Sequence, residues 1–251
     1  VTTTSAISTV RDAYYDGSWT VGQTNGRAFG PVDFKYAVSQ TRTHNAQNQI
    51  TAVQGQTTPT YDNNGNMTKD ETNKRYKYDA WNRMVKVKNG QDVDLEYLKY
   101  MANANRGSAG TTTCPTWTTE SYYSMDWQVL ERRDTPAGCG QPYFTSTYVW
   151  SLSYIDDLVA TDSNAGPGRR YVQQDANHNV TALMNTSGTI TQRQIYDPYG
   201  VGTVLTGGWG SSGSALFEYG HQGGRYDSNS GLYNFRNRDY SPTLGRWMQQ
   251  D

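Results

Sequence analysis

This sequence predicts an all-β fold of stacked antiparallel hairpins, and three observations carry the prediction. Seven short stretches share one turn-like template, and the first three recur at a constant step. The apolar area is carried by rings and β-formers, with 20 Tyr and 7 Trp in 251 residues. No stretch holds a helical period beyond a turn or two.

The template is an aromatic or polar residue, Asp or Asn, two or three small polar residues, Gly or Asn, then an apolar β-former. It begins at His44, Tyr61, Tyr78, Tyr100 (a degenerate copy), Gln174, Tyr196 and Tyr226. The first three starts are seventeen residues apart. A fixed step marks a repeat architecture and points to a built surface more than to a catalytic pocket. Asp or Asn at the first turn position bonds its own backbone two residues on. Gly or Asn further along supplies the positive φ that closes a type I turn into the next strand. Tyr before the turn and Met, Val, Ile or Leu after it are strand residues. Gly65 and Gly231 are therefore expected at positive φ.

Along the chain, residues 1–40 form an N-terminal β segment, with Phe29, Val32, Phe34 and Tyr36 alternating and glycines between runs. Residues 41–107 hold the regular repeats, where Tyr76-Lys77-Tyr78 and Met84 to Lys88 show the period of half-buried strands. Residues 108–142 are an irregular insertion containing Cys114 and Cys139. Residues 143–251 resume the pattern, with Tyr143, Thr145, Thr147 and Val149 on one strand face and a hairpin turn at Asn185 to Gly188. Residues 206–215 are Gly/Ser-rich and read as a flexible loop. Residues 216–251 are dense in Arg and aromatics, and are expected to fold back on the repeats, burying Tyr240 and Trp247 and pairing Arg246 with a carboxylate.

Composition narrows the function. Hydrophobic residues are 35% and charged residues 18%, with mean hydropathy −0.83. The net charge of −1 gives no basis for binding nucleic acid. No run approaches the length of a membrane span. No leader is read at Val1, as expected of a processed or internal piece of a longer protein. The two cysteines bracket a Thr-, Pro- and Gly-rich segment and lack the ligands of a zinc site. A disulfide between them, closing the irregular loop and requiring an oxidising compartment, is expected, with two free thiols as the alternative.

Candidate chemistry is thin, and neither a catalytic residue nor a cofactor is assigned. Asp156, Asp157 and Asp162 read as turn or edge carboxylates; His44, His178 and His221 are too scattered for a metal. Asp62, Asn64, Gly65 and Asn66 resemble part of a calcium loop but lack its terminal Glu. Asn66, Asn179 and Asn185 sit in glycosylation-type sequons. Arg225, Arg236, Arg238 and Arg246, interleaved with rings, read as cations stacked on aromatics and paired with acids in a packed plug.

Taken together, Tyr61-Asp62-Asn63-Asn64-Gly65-Asn66-Met67 and Tyr78-Asp79-Ala80-Trp81-Asn82-Arg83-Met84 resemble YD repeats. Tyr196-Asp197-Pro198-Tyr199-Gly200, Gly224-Arg225-Tyr226-Asp227, Gly231-Leu232-Tyr233, Arg236 to Pro242 and Gly245 to Asp251 resemble the Rhs-associated core, assigned to 143–251. The resemblance is to the Rhs/YD-repeat family. It implies a spiralling β-sheet shell in a secreted or cell-surface protein, with no enzyme activity of its own. The implied partner is an enclosed polypeptide cargo, as with the toxic domain of bacterial members, or further copies of the chain joined edge to edge as a filament or surface layer. The family's self-cleavage motif is matched in part by Pro242, Gly245, Arg246 and Asp251, with aspartates as the implied catalytic groups. A third reading is therefore a fragment left by cleavage downstream of Asp251.

Overall fold

The computed structural model describes residues 2–6, 39–101, 106–110, 118–135 and 144–250. Cys114, Cys139, Asp251 and the run from Phe29 to Tyr36 lie outside the described residues. The chain divides into two compact units, residues 1–59 and 60–251. In the first, β1 (Thr2–Ala6), β2 (Ser39–His44) and β3 (Ile50–Val53) form an antiparallel sheet in sequence order.

The second unit holds a fourteen-stranded sheet whose neighbours follow chain order throughout. Its first half is β4 (Thr60–Tyr61), β5 (Met67–Lys69), β6 (Arg75–Tyr78), β7 (Met84–Lys88), β8 (Asp94–Tyr100), β9 (Arg106–Gly110) and β10 (Thr118–Tyr123). The second half is β11 (Val129–Thr135), β12 (Phe144–Trp150), β13 (Leu158–Ser163), β14 (Arg170–Gln174), β15 (Val180–Asn185), β16 (Ile190–Tyr196) and β17 (Gly202–Thr206). A single 3₁₀ turn, His221–Gly223, then leads into a four-stranded sheet: β18 (Arg225–Asp227), β19 (Leu232–Phe235), β20 (Arg238–Ser241) and β21 (Arg246–Trp247). Every strand pair is antiparallel, so the fold is the all-β stack of hairpins that the sequence predicts.

One turn recurs along the sheet. At Asp62 the N–H donates to Asn66 O, Gly65 N–H donates to Asp62 O, and Asp62 Oδ1 accepts from the N–H groups of Asn64 and Asn66. Gly65 sits at φ +84°. This is a type I turn closed by a left-handed residue. Caps at Asn45, Asp70, Asp79, Asn89, Ser124, Asp175, Asn185 and Asp197 repeat it, with the left-handed residue always three on. Thr206 repeats the backbone pattern, so residues 206–210 are a hairpin turn like the others and not the flexible loop read from the Gly/Ser content.

The turns alternate between the two rims of the sheet. Asp62 and Asp79 lie on one rim, while Asp70 and Asn89 lie on the other. The seventeen-residue step thus spans two strands and two turns, and the sequence template picked out mainly one rim.

Tyr before the turn has its own task. Tyr78 Oη donates to Met67 O at 2.8 Å, Tyr100 to Met84 O at 2.7 Å, and Tyr196 to Val180 O at 2.9 Å. Tyr123 reaches Arg106 O and Trp150 Nε1 reaches Val129 O, both at 2.7 Å. At Gln174 an amide replaces the ring, donating to Asp156 O and His178 O. Each rung ties one repeat to the repeat before it. A β-bulge falls at Tyr61, Tyr78, Tyr100, Tyr123, Trp150 and Gln174, re-aiming these side chains along the sheet. The acceptors Met67, Met84, Val129 and Val180 are buried, and with Val87, Leu98, Tyr148, Leu158 and Leu183 they form the core face.

Candidate functional site: the interface of the terminal sheet

The four-stranded sheet packs against the core face of the large sheet, and the ties between them are mostly charged. Arg106 of β9 donates to Asp239 Oδ1 at 2.7 Å, and the two side chains are only 10% and 4% exposed. Asp239 also accepts from Asn234 Nδ2 at 3.1 Å and from Gln249 Nε2 at 2.8 Å. Its own N–H donates to Gln249 Oε1 at 2.8 Å. A buried ion pair holds only when its remaining hydrogen-bonding capacity is met, and this carboxylate meets it with three donors.

Beside it, Glu96 of β8 faces Asp227 of β18. Burial first, then the Asp227 charge, pushes the Glu96 carboxyl up to about 9. Burial opposes ionisation of Asp227 too, but the hydrogen bond from Glu96, the Arg106 charge, the Ser230 hydroxyl and the Asn229 N–H together hold it below the usual carboxylate range. One proton is shared, with Glu96 the donor and Asp227 the acceptor. Asp227 caps its own turn as well, accepting from Asn229 N–H and Ser230 Oγ. Its left-handed closing residue is Gly231, at φ +77° and four residues on.

Further contacts extend the interface in both directions. Lys74 Nζ donates to Asn229 O and Ser230 O at 2.9 and 2.8 Å. Thr243 Oγ1 donates to Glu71 Oε1, and Met67 N–H donates to Met248 O. At the other end Glu218 is ionised despite burial, because Arg132 at 2.6 Å and Arg225 at 3.6 Å face it. Tyr148 hydrogen-bonds the same carboxylate. Arg236 pairs with Asp156.

The expectation for residues 216–251 needs one correction. The segment does fold onto the repeat sheet, but Tyr240 and Trp247 are only half-buried, stacked edge-on against each other and against Phe235. The buried apolar groups of the segment are Phe217, Tyr219, Leu232, Tyr233, Leu244 and Met248. Arg246 lies over the Tyr61 ring at 5.6 Å, and its Nε donates to Trp247 O. The rings at the sheet surface are amphipathic enough to stay partly wet, which aliphatic residues are not.

Of the cleavage-motif residues, Pro242, Gly245 and Arg246 lie in or beside the turn that joins β20 to β21. Pro242 is buried between β20 and β21; Gly245 closes the turn at φ +62°, where a Cβ would stand 2.7 Å from the Tyr199 ring. Asp62, Asn64 and Asn66 are used inside their turn, with Asp62 Oδ2 accepting from Asn66 Nδ2. Asn66 is fully buried, so its sequon is closed to a glycan. His178 stacks on Tyr154, whereas His221 packs near Tyr196, Tyr233 and Tyr240. Among the described residues no group of three metal-ligating side chains converges. Sequence reasoning passed over Glu96, Arg106 and Glu218. Glu96 and Arg106 carried one signal, a charged residue at an inward strand position; Glu218, in the connection before the 3₁₀ turn, carried none.

Residues 144–251 match the family model described as Teneurin YD-shell. No curated protein matches. Among solved structures, the chain resembles the Photorhabdus luminescens Tc holotoxin pore carrying a substitution in TccC3, at 14% identity and TM-score 0.58. It also resembles TcdB2-TccC3 at 15% identity and TM-score 0.59, and TcdB2-TccC3 without its hypervariable C-terminal region at 15% and 0.57. Each likeness covers 84% of this chain and 12% of the other. The chain therefore spans about one eighth of the length of those proteins. With a YD-shell model matched along residues 144–251 and the same hairpin repeat running back through β4, the chain has the fold of the YD-repeat shells.

Proposed function

We propose that this chain is a wall segment of a YD-repeat shell that encloses a polypeptide cargo in a secreted or cell-surface protein. The observation that carries this reading is the terminal sheet, held on the core face of the repeats by Arg106–Asp239 and Glu96–Asp227. A sheet sealed in this way is a building element, with its charges spent on holding the wall together. The solved proteins of similar fold are Tc toxin assemblies, which supports a container role. Pro242, Gly245, Arg246 and Asp251 keep their proposed place as the approach to a cleavage position downstream, and Cys114–Cys139 their proposed disulfide.

The test fuses a protease-sensitive reporter peptide downstream of the chain in its full-length parent and follows digestion. Protection that is lost when Asp239→Ala opens the interface supports enclosure. A reporter cut at the free-peptide rate in both proteins contradicts it. Fibres in negative-stain images would favour edge-to-edge assembly.

A further inference from the structure

Where the terminal sheet meets β9–β12, a cavity is left with about 50 Å³ open to water-sized groups. That is room for roughly four waters, or for one small polar group with its stem. Two buried polar atoms on its lining residues have no hydrogen-bond partner: Arg106 Nε and the Tyr219 hydroxyl. Orphaned buried donors are costly, and a native fold keeps them where something else completes them. Arg225 and Arg236 also line the cavity, each already facing a carboxylate, Glu218 at 3.6 Å and Asp156. The remaining walls are aromatic, from Trp127, Trp150 and Phe235. Trp127 reaches the cavity from the left-handed position of its turn, at φ +66°, the place Trp209 takes at +69° in the turn capped by Thr206.

We propose that this cavity is a binding site for a carboxylate group on a short apolar stem, with Arg106 Nε and the Tyr219 hydroxyl as its donors and Trp127 as its wall. Two sources carry that chemistry, a free small acid and a Glu or Asp side chain of a polypeptide. The site stands on the sheet interface and is independent of the enclosure reading.

The test is ligand-observed NMR titration of the intact chain with propionate, with its neutral isostere propionamide, and with an acetylated, amidated glutamate peptide. Propionate should bind saturably, and propionamide on the order of tenfold more weakly, since its neutral carbonyl accepts without the charge that strengthens the bond. Tyr219→Phe should weaken propionate by a similar factor while its ligand-free melting temperature stays level or rises, because an unpaired hydroxyl is gone. Trp127→Asn should keep the fold, since Asn suits the turn, and weaken binding. Tighter binding of the peptide than of propionate assigns the site to a polypeptide side chain; the reverse order assigns it to a small acid. Equal binding of propionamide, unchanged affinity in Tyr219→Phe, or no saturable signal from any of the three overturns the proposal.

Discussion

At the residue scale, the carboxyl pair Glu96–Asp227 makes the sharpest prediction. Glu96 titrates near 4.5 in an unfolded chain and near 9 in the folded one. A raised pKa means that the folded state holds a proton the unfolded state has released. The stability this gives is fully present below about 4.5 and is lost as pH rises toward about 9. Melting temperature followed from pH 5 to 9 should therefore fall in the native protein and fall less in Glu96→Gln, whose amide donates without titrating. Asp227→Asn replaces the charged acceptor of the Glu96 proton with a neutral amide oxygen, and should lower stability near neutral pH. Gly65 makes a second residue-scale prediction. At φ +84° a side chain is strained, and a Cβ would stand 2.7 Å from Gln250 Cγ. Gly65→Ala should cost about 1 kcal/mol or more in urea unfolding. The Gly65 turn was legible in the sequence because Asp and Gly act locally. Glu96 was not, since its partner lies more than a hundred residues away in the chain.

At the element scale, the hairpin is the unit and Tyr is its rung. Asp at the cap and Gly or Asn at the left-handed position are chemical necessities of the turn, and the seventeen-residue step repeats them on one rim. The opposite rim was harder to read. Its turns use Asp70-Glu71-Thr72-Asn73 and Asn89-Gly90-Gln91-Asp92, where Asn73 and Asp92 take positive φ and the preceding residues are not Tyr. Thr206 on that rim, and Ser124 on the first, cap with hydroxyls, a weaker signal still. The rung itself is invisible to periodicity, because it joins a hydroxyl to a carbonyl in an earlier repeat. Tyr78→Phe and Tyr196→Phe should each destabilise by about 1 kcal/mol, leaving the Met67 or Val180 carbonyl without that donor. Chemical denaturation of the two single variants and the double variant checks this; the distant sites should add.

At the scale of the whole molecule, the terminal sheet is part of the wall. The density of rings and arginines after residue 216 predicted a folded-back segment, and the segment does fold back. Which rings would be covered depended on the curvature and register of two sheets, which no local pattern encodes. Truncation after Gly213 would strip Asp239 from Arg106, Glu218 from Arg132 and the Phe217 and Tyr219 cover from the cluster around Val129, leaving buried charge and apolar surface exposed together. The shortened chain should aggregate, or lose its cooperative melt. The central claim is that repeat sheet and terminal sheet are one cooperative body. Native-state hydrogen exchange by mass spectrometry on the intact chain tests it most directly. Peptides covering residues 94–100 and 232–248 should exchange with the same opening free energy and the same denaturant dependence. If 232–248 exchanges much faster and independently, the terminal sheet is a detachable arm and the account is wrong.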